Sequence, residues 1–219
     1  MASHNPRIII TAGPTFEPID EVRFIGNRSS GRMGLALAGE SARRGWDTTL
    51  LLGPGCQSPS GGMHVLRFQT AAQLKQLMDE QWPSHDILIM AAAVSDYAPS
   101  KIIPGKQSRD SGPLTLELEA TTDILAGITA SSREDQTMIG FALEEAGNLR
   151  SKGHAKRAQK GVHAIVANPL DTMDSEMVEA MLLMEHDREA APDRPMTKIE
   201  FAGWLLDQLP MIEALKQIK

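Results

Sequence analysis

The chain has 219 residues, which is long enough to bury one hydrophobic core, and its length favours one domain over two. Its 42% hydrophobic and 23% charged residues are typical of folded globular proteins and exclude disordered and fibrous classes. The net charge of −6 and the pI near 5.5 argue against a broad nucleic-acid-binding surface, because a phosphate backbone requires clustered Lys and Arg. We therefore treat residues 1–219 as a single domain and expect any phosphate site to be local.

The cysteine content and the hydropathy of the sequence indicate the cellular compartment of the protein. The single cysteine, Cys56, excludes an internal disulfide and fits a reducing compartment. It lies among Gly, Pro and Ser residues that predict a loop, so a nucleophilic role is not favoured. No apolar run reaches the roughly 18 residues of a membrane span, and the N-terminal run is too short for a signal peptide. These features predict a cytoplasmic protein that binds neither membranes nor nucleic acid.

Short β-rich runs alternate along the chain with segments whose apolar residues recur at three- and four-residue spacings. This pattern predicts strands at 7–11, 48–52, 86–91, 137–141 and 163–167, and helices at 31–44, 71–81, 123–131 and 145–160. Near the C-terminus, Pro195 and Thr197 precede an apolar helical face that begins at Ile199. We predict a Rossmann-like, doubly wound α/β fold with a mainly parallel sheet, because its strands alternate with helices.

Three segments interrupt this alternation. Residues 114–118 alternate Leu with polar side chains, and residues 181–184 form a short apolar run between charged stretches. We expect these two segments to pair as a small antiparallel extension of the sheet. Residues 99–113 are rich in Pro, Gly, Ser and charged side chains and show no hydrophobic periodicity, which predicts a mobile loop. Loops of this length often have a functional role.

A turn rich in serine and glycine, at 29–34, precedes the first predicted helix. Such a turn offers hydroxyl groups, unpaired backbone N–H groups and the positive end of the helix dipole to a phosphate. Serine at a helix start is also an ordinary N-cap, and glycine is an ordinary turn residue. The turn alone leaves phosphate binding and a purely structural role equally open.

Residues 97–101 contain the pattern Y-x-x-x-K, and Ser84 lies upstream of it. This combination of residues is typical of short-chain dehydrogenases. That chemistry needs Tyr97 and Lys101 one helical turn apart, and Pro99 between them disfavours a helix. A dinucleotide fingerprint also places its glycines directly after the first strand, whereas Gly13 and Gly31 are separated by a long extended stretch. An NAD(P)-dependent dehydrogenase is therefore the less favoured alternative.

Several motifs occur in a fixed order along the chain. They are ITAGPT at 10–15, EP at 17–18, VRFI at 22–25, Asn27, SSGRMG at 29–34, AAAVSDY at 91–97, LTLEL at 114–118, DIL at 123–125, GFALE at 140–144 and AN at 167–168. Together they closely resemble the phosphopantothenoylcysteine synthetase family over essentially the whole chain. In many bacteria this domain follows a flavin-dependent decarboxylase, which is missing here. The resemblance therefore implies a stand-alone synthetase that acts with a separate decarboxylase.

The resemblance implies a ligase of coenzyme A biosynthesis. A nucleoside triphosphate would activate the carboxylate of phosphopantothenate as an acyl-nucleotide and release pyrophosphate, and the amine of cysteine would then attack the acyl carbonyl. CTP is favoured over ATP, because most bacterial relatives use CTP. Mg²⁺ would arrive with the triphosphate, while the histidines show no paired spacing that predicts a zinc site built by the protein. Family members are usually homodimers with the substrate site near the subunit interface.

The resemblance also implies roles for individual residues. Asn27 would be catalytic by stabilising an acyl oxygen, although asparagine is also common in tight turns. Lys106 would be a second catalytic residue that contacts the triphosphate. Arg23, together with Asn27, would bind phosphopantothenate. The nucleotide would be bound by the turn and by residues after later strands, namely Ser29, Ser30, Gly31, Arg32, Met33, Gly34, Ala92, Asp96, Lys106, Phe141, Lys156 and Lys160.

Four of these residues also admit ordinary structural explanations. Asp96 fits a helix cap or a turn, and Phe141 fits a core position after a buried strand. Lys156 and Lys160 are four residues apart on one helix face, where basic side chains are usually only solvated. The order of the motifs, rather than any one residue, favours nucleotide binding.

The chain departs from the family pattern in two places. Beside Lys106, Gln107 and Ser108 replace apolar and basic residues, and Arg109 keeps one positive charge. Residues 120–122 read Ala-Thr-Thr where relatives often carry Lys and Pro. A nucleotide-binding relative that has lost synthetase activity therefore stays open as an alternative.

Overall fold

The computed structural model describes residues 5–59, 61–108, 112–170 and 175–218. The strands in this part of the chain are β1 (Arg7–Ala12), β2 (Phe16–Pro18), β3 (Phe24–Gly26), β4 (Asp47–Leu52), β5 (His64–Arg67), β6 (Ile87–Met90), β7 (Tyr97–Pro99), β8 (Leu118–Ala120), β9 (Thr137–Glu144), β10 (Ala164–Pro169), β11 (Met177–Val178), β12 (Met181–Met184), β13 (Glu189–Ala190) and β14 (Met196–Thr197). The helices are α1 (Arg32–Arg43), α2 (Ala71–Gln81), α3 (Ile124–Ala130), α4 (Leu149–Lys160), α5 (Lys198–Asp207) and α6 (Leu209–Leu215).

Eight of the strands form a central sheet in the order β13-β12-β10-β9-β6-β1-β4-β5. Within the stretch β10-β9-β6-β1-β4-β5, all neighbouring strands are parallel. At the edge, β12 runs antiparallel to β10, and β13 runs antiparallel to β12. All five predicted strands lie in this sheet. The predicted Rossmann-like fold, mainly parallel with a small antiparallel extension, is therefore confirmed.

The antiparallel extension is not built as expected. Residues 181–184 form β12, but they pair with β10 and β13 rather than with 114–118. Residues 112–117, which the structure describes, contain no strand, and β8 pairs with β7 in a separate two-stranded ribbon. The physical reason is burial: Leu182 and Leu183 are fully buried, whereas Leu114 and Leu118 are about half exposed. The prediction of this pairing was wrong because the alternation at 114–118 does not mark a core face.

The sheet buries both of its faces, which explains the nearly continuous apolar runs of its inner strands. Ile8 and Ile10 of β1 point to a core shared with α1, α5 and α6, whereas Ile9 points to a second core shared with α2 and α3. The predicted helices all form, although the segment 145–160 begins with a 3₁₀ turn before α4. Within the described residues, no helix combines the length and apolarity needed to cross a bilayer.

The C-terminal helix begins where its start signal predicts. Thr197 caps α5 through its side-chain oxygen, which accepts from the backbone N–H of Glu200, and the Glu200 carboxylate accepts from the backbone N–H of Thr197. This reciprocal pair satisfies two of the N–H groups that a helix start leaves open. It also fixes the backbone position of Lys198, the first residue of α5.

The start of α1 lies unusually close to the end of β1. A Cβ atom added to Gly34 would be 2.4 Å from the Cβ of Ala12 and 2.9 Å from the carbonyl oxygen of Thr11. Only a residue without a side chain allows this approach, because real Cβ atoms do not come so near to backbone. Gly34 therefore sets the position of the serine- and glycine-rich turn over the carboxyl end of the sheet.

A pair of glycine substitutions within α1 tests this packing. Gly34→Ala should lower the free energy of unfolding by about 1–3 kcal/mol, because the methyl group overpacks the contact with β1. Gly39→Ala is the matched control, since an added Cβ at this exposed helical position meets no atom within 4 Å. The control should instead gain about 0.5–1 kcal/mol from helix propensity. Urea denaturation of both variants measures the difference, and equal stability of the two would contradict the packing account.

Candidate functional site

A cleft of about 570 Å³ opens at the carboxyl ends of the central strands. The turn before α1, the segment after β6, the end of β9 and one face of α4 form its walls. The predicted site residues that line this cleft are Asn27, Ser29, Ser30, Gly31, Arg32, Met33, Gly34, Ala92, Asp96, Phe141 and Lys156. Ligands of doubly wound folds bind at this edge of the sheet, so the position fits the expectation.

A second chamber of about 360 Å³ continues from the first toward the N-terminus of α3. Ala92, Asp96, Phe141 and Lys156 line both chambers, which makes them one continuous cleft. Lys160 lines the second chamber, whose apolar wall includes Ile124, Leu125 and Ile165. A helix-start turn thus forms part of the wall of one chamber, whereas apolar and polar side chains together line the other.

The turn before α1 supplies backbone N–H donors that have no hydrogen-bond partner within the described ranges. Gly31 is the N-cap residue, with φ 69° and ψ 0°, and no side chain in the described part of the protein caps the helix. Leu35 donates to the Gly31 carbonyl at 3.0 Å, so the N–H groups of Arg32, Met33 and Gly34 precede the first intrahelical bond. These donors and the positive end of the helix dipole make the turn suitable for an anion.

Glycine is required at the back of this turn. A Cβ atom on Gly31 would lie 2.6 Å from the Sγ of Cys56 and 3.1 Å from the backbone nitrogen of Gly13. A Cβ atom on Gly13 would lie 2.5 Å from the same sulfur. Burial raises the pKa of the Cys56 thiol, which outweighs the opposite effect of Arg67. The thiol is therefore protonated at neutral pH and acts here as a packing group.

Two threonine hydroxyls connect the end of β1 to the segment after β6. The backbone N–H of Ala92 donates to the Thr11 hydroxyl at 3.0 Å, and that of Ser95 donates to the Thr15 hydroxyl at 2.9 Å. The two segments therefore run side by side beyond the sheet, and Asp96 comes to the cleft wall. Sequence motifs that are far apart along the chain meet through these bonds.

Asn27 follows β3 and has a fixed orientation. Its side-chain Nδ2 donates to the carbonyl oxygen of Val94 at 2.9 Å, while the residue itself is exposed at the cleft. One N–H of the amide is thus used by the protein, and a primary amide has a second N–H. An amide held in this way can donate to a ligand oxygen without first losing rotational freedom.

Acidic partners hold both predicted lysines of α4. Lys156 Nζ lies 2.5 Å from Oε1 of the buried Glu144, and Lys160 Nζ pairs with Asp123, the N-cap residue of α3. Burial alone would raise the pKa of Asp123, but hydrogen bonds from Lys160 and from the backbone of Ala126 outweigh it and lower the pKa. Both cations are therefore held at the cleft wall and are not simply solvated helix charges.

Two predicted residues are not among those that line either chamber in the described structure. Arg23 contacts Asp20 and the backbone of Gln107, and the exposed Lys106 lies beside them in the loop 100–108. Their predicted roles with substrate and triphosphate stay predictions. Arg109 lies outside the described residues.

Other residues of the cleft were not predicted. Arg28, Asn168 and Lys198 line the first chamber, and Thr121, Thr122 and Gln159 line the second. Lys198 donates to the carbonyl of Ser175, and it is brought to the cleft by the capped start of α5. No motif of the family resemblance includes Lys198, so only the packing of α5 reveals its place at the cleft. Arg28, by contrast, lies between two residues of the sequence motifs, and Asn168 itself belongs to the motif at 167–168.

The dehydrogenase alternative fails on local structure. Tyr97 lies in β7, which pairs with β8, and Lys101 lies in the irregular loop that follows. The Tyr and Lys side chains are therefore not one helical turn apart, as that chemistry needs. The pattern Y-x-x-x-K occurs here on an extended segment.

The cleft offers few ligands to a metal ion. Across the described ranges, no three His, Cys, Asp or Glu side chains converge in a manner suited to a metal. Asp96 is the acidic residue that lines both chambers, while Asp123 and Glu144 are engaged by lysines. This donor set fits a cation that arrives with phosphate oxygens as its main ligands.

Two curated proteins are similar to this chain in sequence. A cysteine/cysteine sulfinic acid decarboxylase from an unknown prokaryotic organism is 41% identical over 165 residues, which are 75% of this chain and 46% of that protein. The coenzyme A biosynthesis bifunctional protein CoaBC of Mycobacterium tuberculosis (strain ATCC 25618 / H37Rv) is 39% identical over 173 residues, covering 74% of this chain and 41% of that protein. The chain thus spans less than half the length of these two curated relatives.

A solved structure covers almost the whole chain. The crystal structure of the C-terminal domain of coenzyme A biosynthesis bifunctional protein CoaBC is 31% identical, covers 94% of this chain and 95% of that one, and has a TM-score of 0.80. Residues 3–212 match the family described as DNA/pantothenate metabolism flavoprotein C-terminal domain. The ordered motifs, the Rossmann-like sheet and these matches lead to one conclusion: the chain belongs to the DNA/pantothenate metabolism flavoprotein C-terminal domain family.

Proposed function

We propose that the chain is a phosphopantothenate–cysteine ligase of coenzyme A biosynthesis. The observation that carries this proposal is that Asn27, the turn before α1 and Lys156 line one continuous cleft. The relationship to the C-terminal domain of bifunctional CoaBC supports it. The substrates would be a nucleoside triphosphate, phosphopantothenate and cysteine.

In the first half-reaction, a carboxylate oxygen of phosphopantothenate attacks the α-phosphorus of the nucleotide. The bond between that phosphorus and the bridging oxygen breaks, and pyrophosphate leaves with the electron pair. The N–H groups at the start of α1 and the charge of Lys156 stabilise the negative charge on the phosphates. The protein contributes mainly positioning and charge neutralisation, as in other phosphoryl-transfer sites.

In the second half-reaction, the amine nitrogen of cysteine attacks the acyl carbonyl carbon. The nucleoside monophosphate leaves, the amine loses a proton, and an amide bond forms. The carbonyl oxygen becomes more negative in the transition state, and the Asn27 amide, held by Val94, is suited to donate to it. Asn27 is therefore the proposed catalytic residue of the cleft.

Mg²⁺ would bind with the triphosphate. Phosphate oxygens would supply most of its ligands, and Asp96 is the carboxylate of the cleft that would complete them. The metal would neutralise charge on the phosphates and aid departure of pyrophosphate. We propose CTP as the favoured nucleotide, with the base in the second chamber between Phe141 and the apolar side chains near α3.

One observation keeps a second candidate in view. Lys106 does not reach the cleft lining, and its neighbours Gln107 and Ser108 depart from the family pattern. A nucleotide-binding protein without ligase activity would share the cleft but would not release pyrophosphate when given the acid substrate.

Calorimetric titration tests the nucleotide site. The wild-type chain should bind Mg·CTP or Mg·ATP and should not bind NAD or NADP. Lys156→Ala should weaken triphosphate binding by about tenfold or more, since a hydrogen bond to a charged group is worth about 1.5–3 kcal/mol.

Lys152→Ala is the matched control for this titration. Lys152 also lies on α4 and approaches Glu144, at 3.8 Å, but it does not line the described cleft. Its substitution should leave triphosphate affinity unchanged. Tight binding of a nicotinamide cofactor without triphosphate binding would contradict the proposed triphosphate site.

Asn27→Asp separates catalysis from structure. The substitution keeps the size of the side chain but replaces the Nδ2–H donor to the Val94 carbonyl with a carboxylate oxygen, so a purely structural asparagine would give a less stable variant that still forms product when folded. A catalytic amide would instead lose product formation in the folded variant, because the aspartate also places a negative charge beside the acyl oxygen. We expect a folded variant that binds the triphosphate but forms little phosphopantothenoylcysteine. Rapid-quench analysis with labelled phosphopantothenate identifies the half-reaction that stops, and wild-type product formation would remove Asn27 from catalysis.

A further inference from the structure

The carboxylate of Asp96 is positioned by its backbone. Asp96 is exposed where the two chambers meet, and it lines both of them. Within the described ranges, the hydrogen bond of this residue is made by its carbonyl group, and its side chain has no hydrogen-bond or ion-pair partner. A side chain without contacts of its own takes its direction from the backbone dihedral angles, which restrict its rotamers. The groups that bind the backbone of Asp96 therefore decide where its carboxylate lies.

Thr121, the residue that follows β8, binds both peptide groups that flank Asp96. The Thr121 hydroxyl donates to the carbonyl of Ser95 at 2.6 Å, and the Thr121 backbone N–H donates to the carbonyl of Asp96 at 2.9 Å. The first carbonyl belongs to the peptide group before the Asp96 Cα atom, and the second belongs to the peptide group after it. Because peptide groups are planar, two fixed carbonyls restrict both dihedral angles of Asp96.

The same segment is bound from its other side by the end of β1. The backbone N–H of Ser95 donates to the Thr15 hydroxyl at 2.9 Å, and Ser95 and Thr15 are both buried. Hydrogen bonds that are shielded from water in this way are stronger than exposed ones. Ser95 is thus fixed through its N–H by Thr15 and through its carbonyl by Thr121, which leaves the backbone that leads into Asp96 little freedom to move.

We propose that Thr121 is a positioning residue, which directs the carboxylate of Asp96 toward the metal ion that the triphosphate brings to the cleft. Asp96 contacts the metal in the proposed reaction, and Thr121 acts through the backbone of Asp96. This inference rests on the proposed function for its catalytic consequence, and on the two hydrogen bonds of Thr121 for its structural part. It also gives a role to the segment 120–122, where the chain departs from the family pattern, because this segment remains bound to the cleft wall.

A direct contact between Thr121 and the nucleotide is the competing explanation, because Thr121 lines the second chamber. A hydroxyl group has one proton to donate, and that of Thr121 is given to the Ser95 carbonyl, which favours the positioning role. The two explanations also differ in how they depend on Mg²⁺. A lost direct contact weakens nucleotide binding equally with and without the metal, whereas a misdirected Asp96 reduces the gain in affinity that the metal provides.

Calorimetric titration of CTP with and without Mg²⁺ separates these explanations. Thr121→Val keeps the shape of the side chain and removes its hydroxyl. The gain in CTP affinity that Mg²⁺ provides should fall by about tenfold, as when a group that orients a metal ligand is removed. Thr121→Ser retains the hydroxyl and should keep the wild-type gain within about twofold. An equal loss of affinity with and without Mg²⁺ in Thr121→Val would show a direct contact and overturn the proposal.

A double-mutant cycle with Asp96 identifies the group through which Thr121 acts. Asp96→Asn should itself reduce the gain in CTP affinity from Mg²⁺, because it removes the carboxylate that would bind the metal. Adding Thr121→Val to this variant should change the remaining gain by less than about twofold, since no metal-binding carboxylate is left to be directed. Additive losses from the two substitutions would mean that Thr121 acts independently of Asp96, which would overturn the proposal.

Thr48→Val is the matched control for these titrations. Thr48 is also a threonine whose hydroxyl donates to a backbone carbonyl, that of Trp46 at 3.1 Å, but it is buried near the start of β4, at the amino edge of the sheet. This variant should lose thermal stability and keep the wild-type gain in CTP affinity from Mg²⁺. A comparable reduction of that gain in Thr48→Val would mean that the titration reports general destabilisation, which would overturn the assignment.

Amide hydrogen exchange tests the structural part without any ligand. Thr121→Val should accelerate exchange at residues 95 and 121 by about fivefold or more, as expected for one lost hydrogen bond, whereas Thr121→Ser and Thr48→Val should not. Unchanged exchange in Thr121→Val would overturn the proposal even if nucleotide binding weakens. Accelerated exchange in a chain whose wild type binds no triphosphate would instead retain the hold on Asp96 and refute both the proposed function and the catalytic consequence for Thr121.

Discussion

The close contact between the start of α1 and the end of β1 is the constraint on which the site depends. Gly34 lies against Ala12, and Gly31 and Gly13 leave just enough space for the Cys56 sulfur. Because Gly34 places no side chain between the first turn of the helix and β1, the N–H groups of that turn come to the carboxyl edge of the sheet. A single added methyl group at these glycines would move the helix start, and the anion-binding donors with it.

Everything else in the cleft is arranged relative to that helix start. The threonine hydroxyls at the end of β1 bind the segment after β6, which brings Asp96 and the Val94 carbonyl to the same wall. Buried or capping carboxylates then hold the lysines of α4 on the opposite side. Cationic side chains thus outnumber carboxylates at the described cleft wall, which is lined by Asp96 and Asp123 and by Arg28, Arg32, Lys156, Lys160 and Lys198. This arrangement explains how a chain with a net charge of −6 can offer a cationic site to a triphosphate.

Much of the fold and part of the site could be predicted from sequence, for physical reasons that particular residues illustrate. Apolar runs that alternate with helical patterns define inner parallel strands, and Thr197 with Glu200 defines a helix start locally. The partners of β12 were predicted wrongly because strand pairing depends on which side chains become buried. The alternation of Leu with polar residues at 114–118 does not show that Leu114 and Leu118 stay exposed. Lys198 was not predicted as a cleft residue because its place there follows from the packing of α5. The contacts of Arg23 and Asp20 with Gln107 were not predicted either, because they join segments far apart in the chain.

The central claim is that the cleft activates a carboxylate with a nucleoside triphosphate. The most direct measurement is pyrophosphate release by the wild-type chain with phosphopantothenate, using CTP or ATP, with and without cysteine. The account predicts release that requires phosphopantothenate, stops near one equivalent of enzyme without cysteine, and turns over when cysteine is added. Binding of the triphosphate without any release of pyrophosphate in the presence of phosphopantothenate would contradict it.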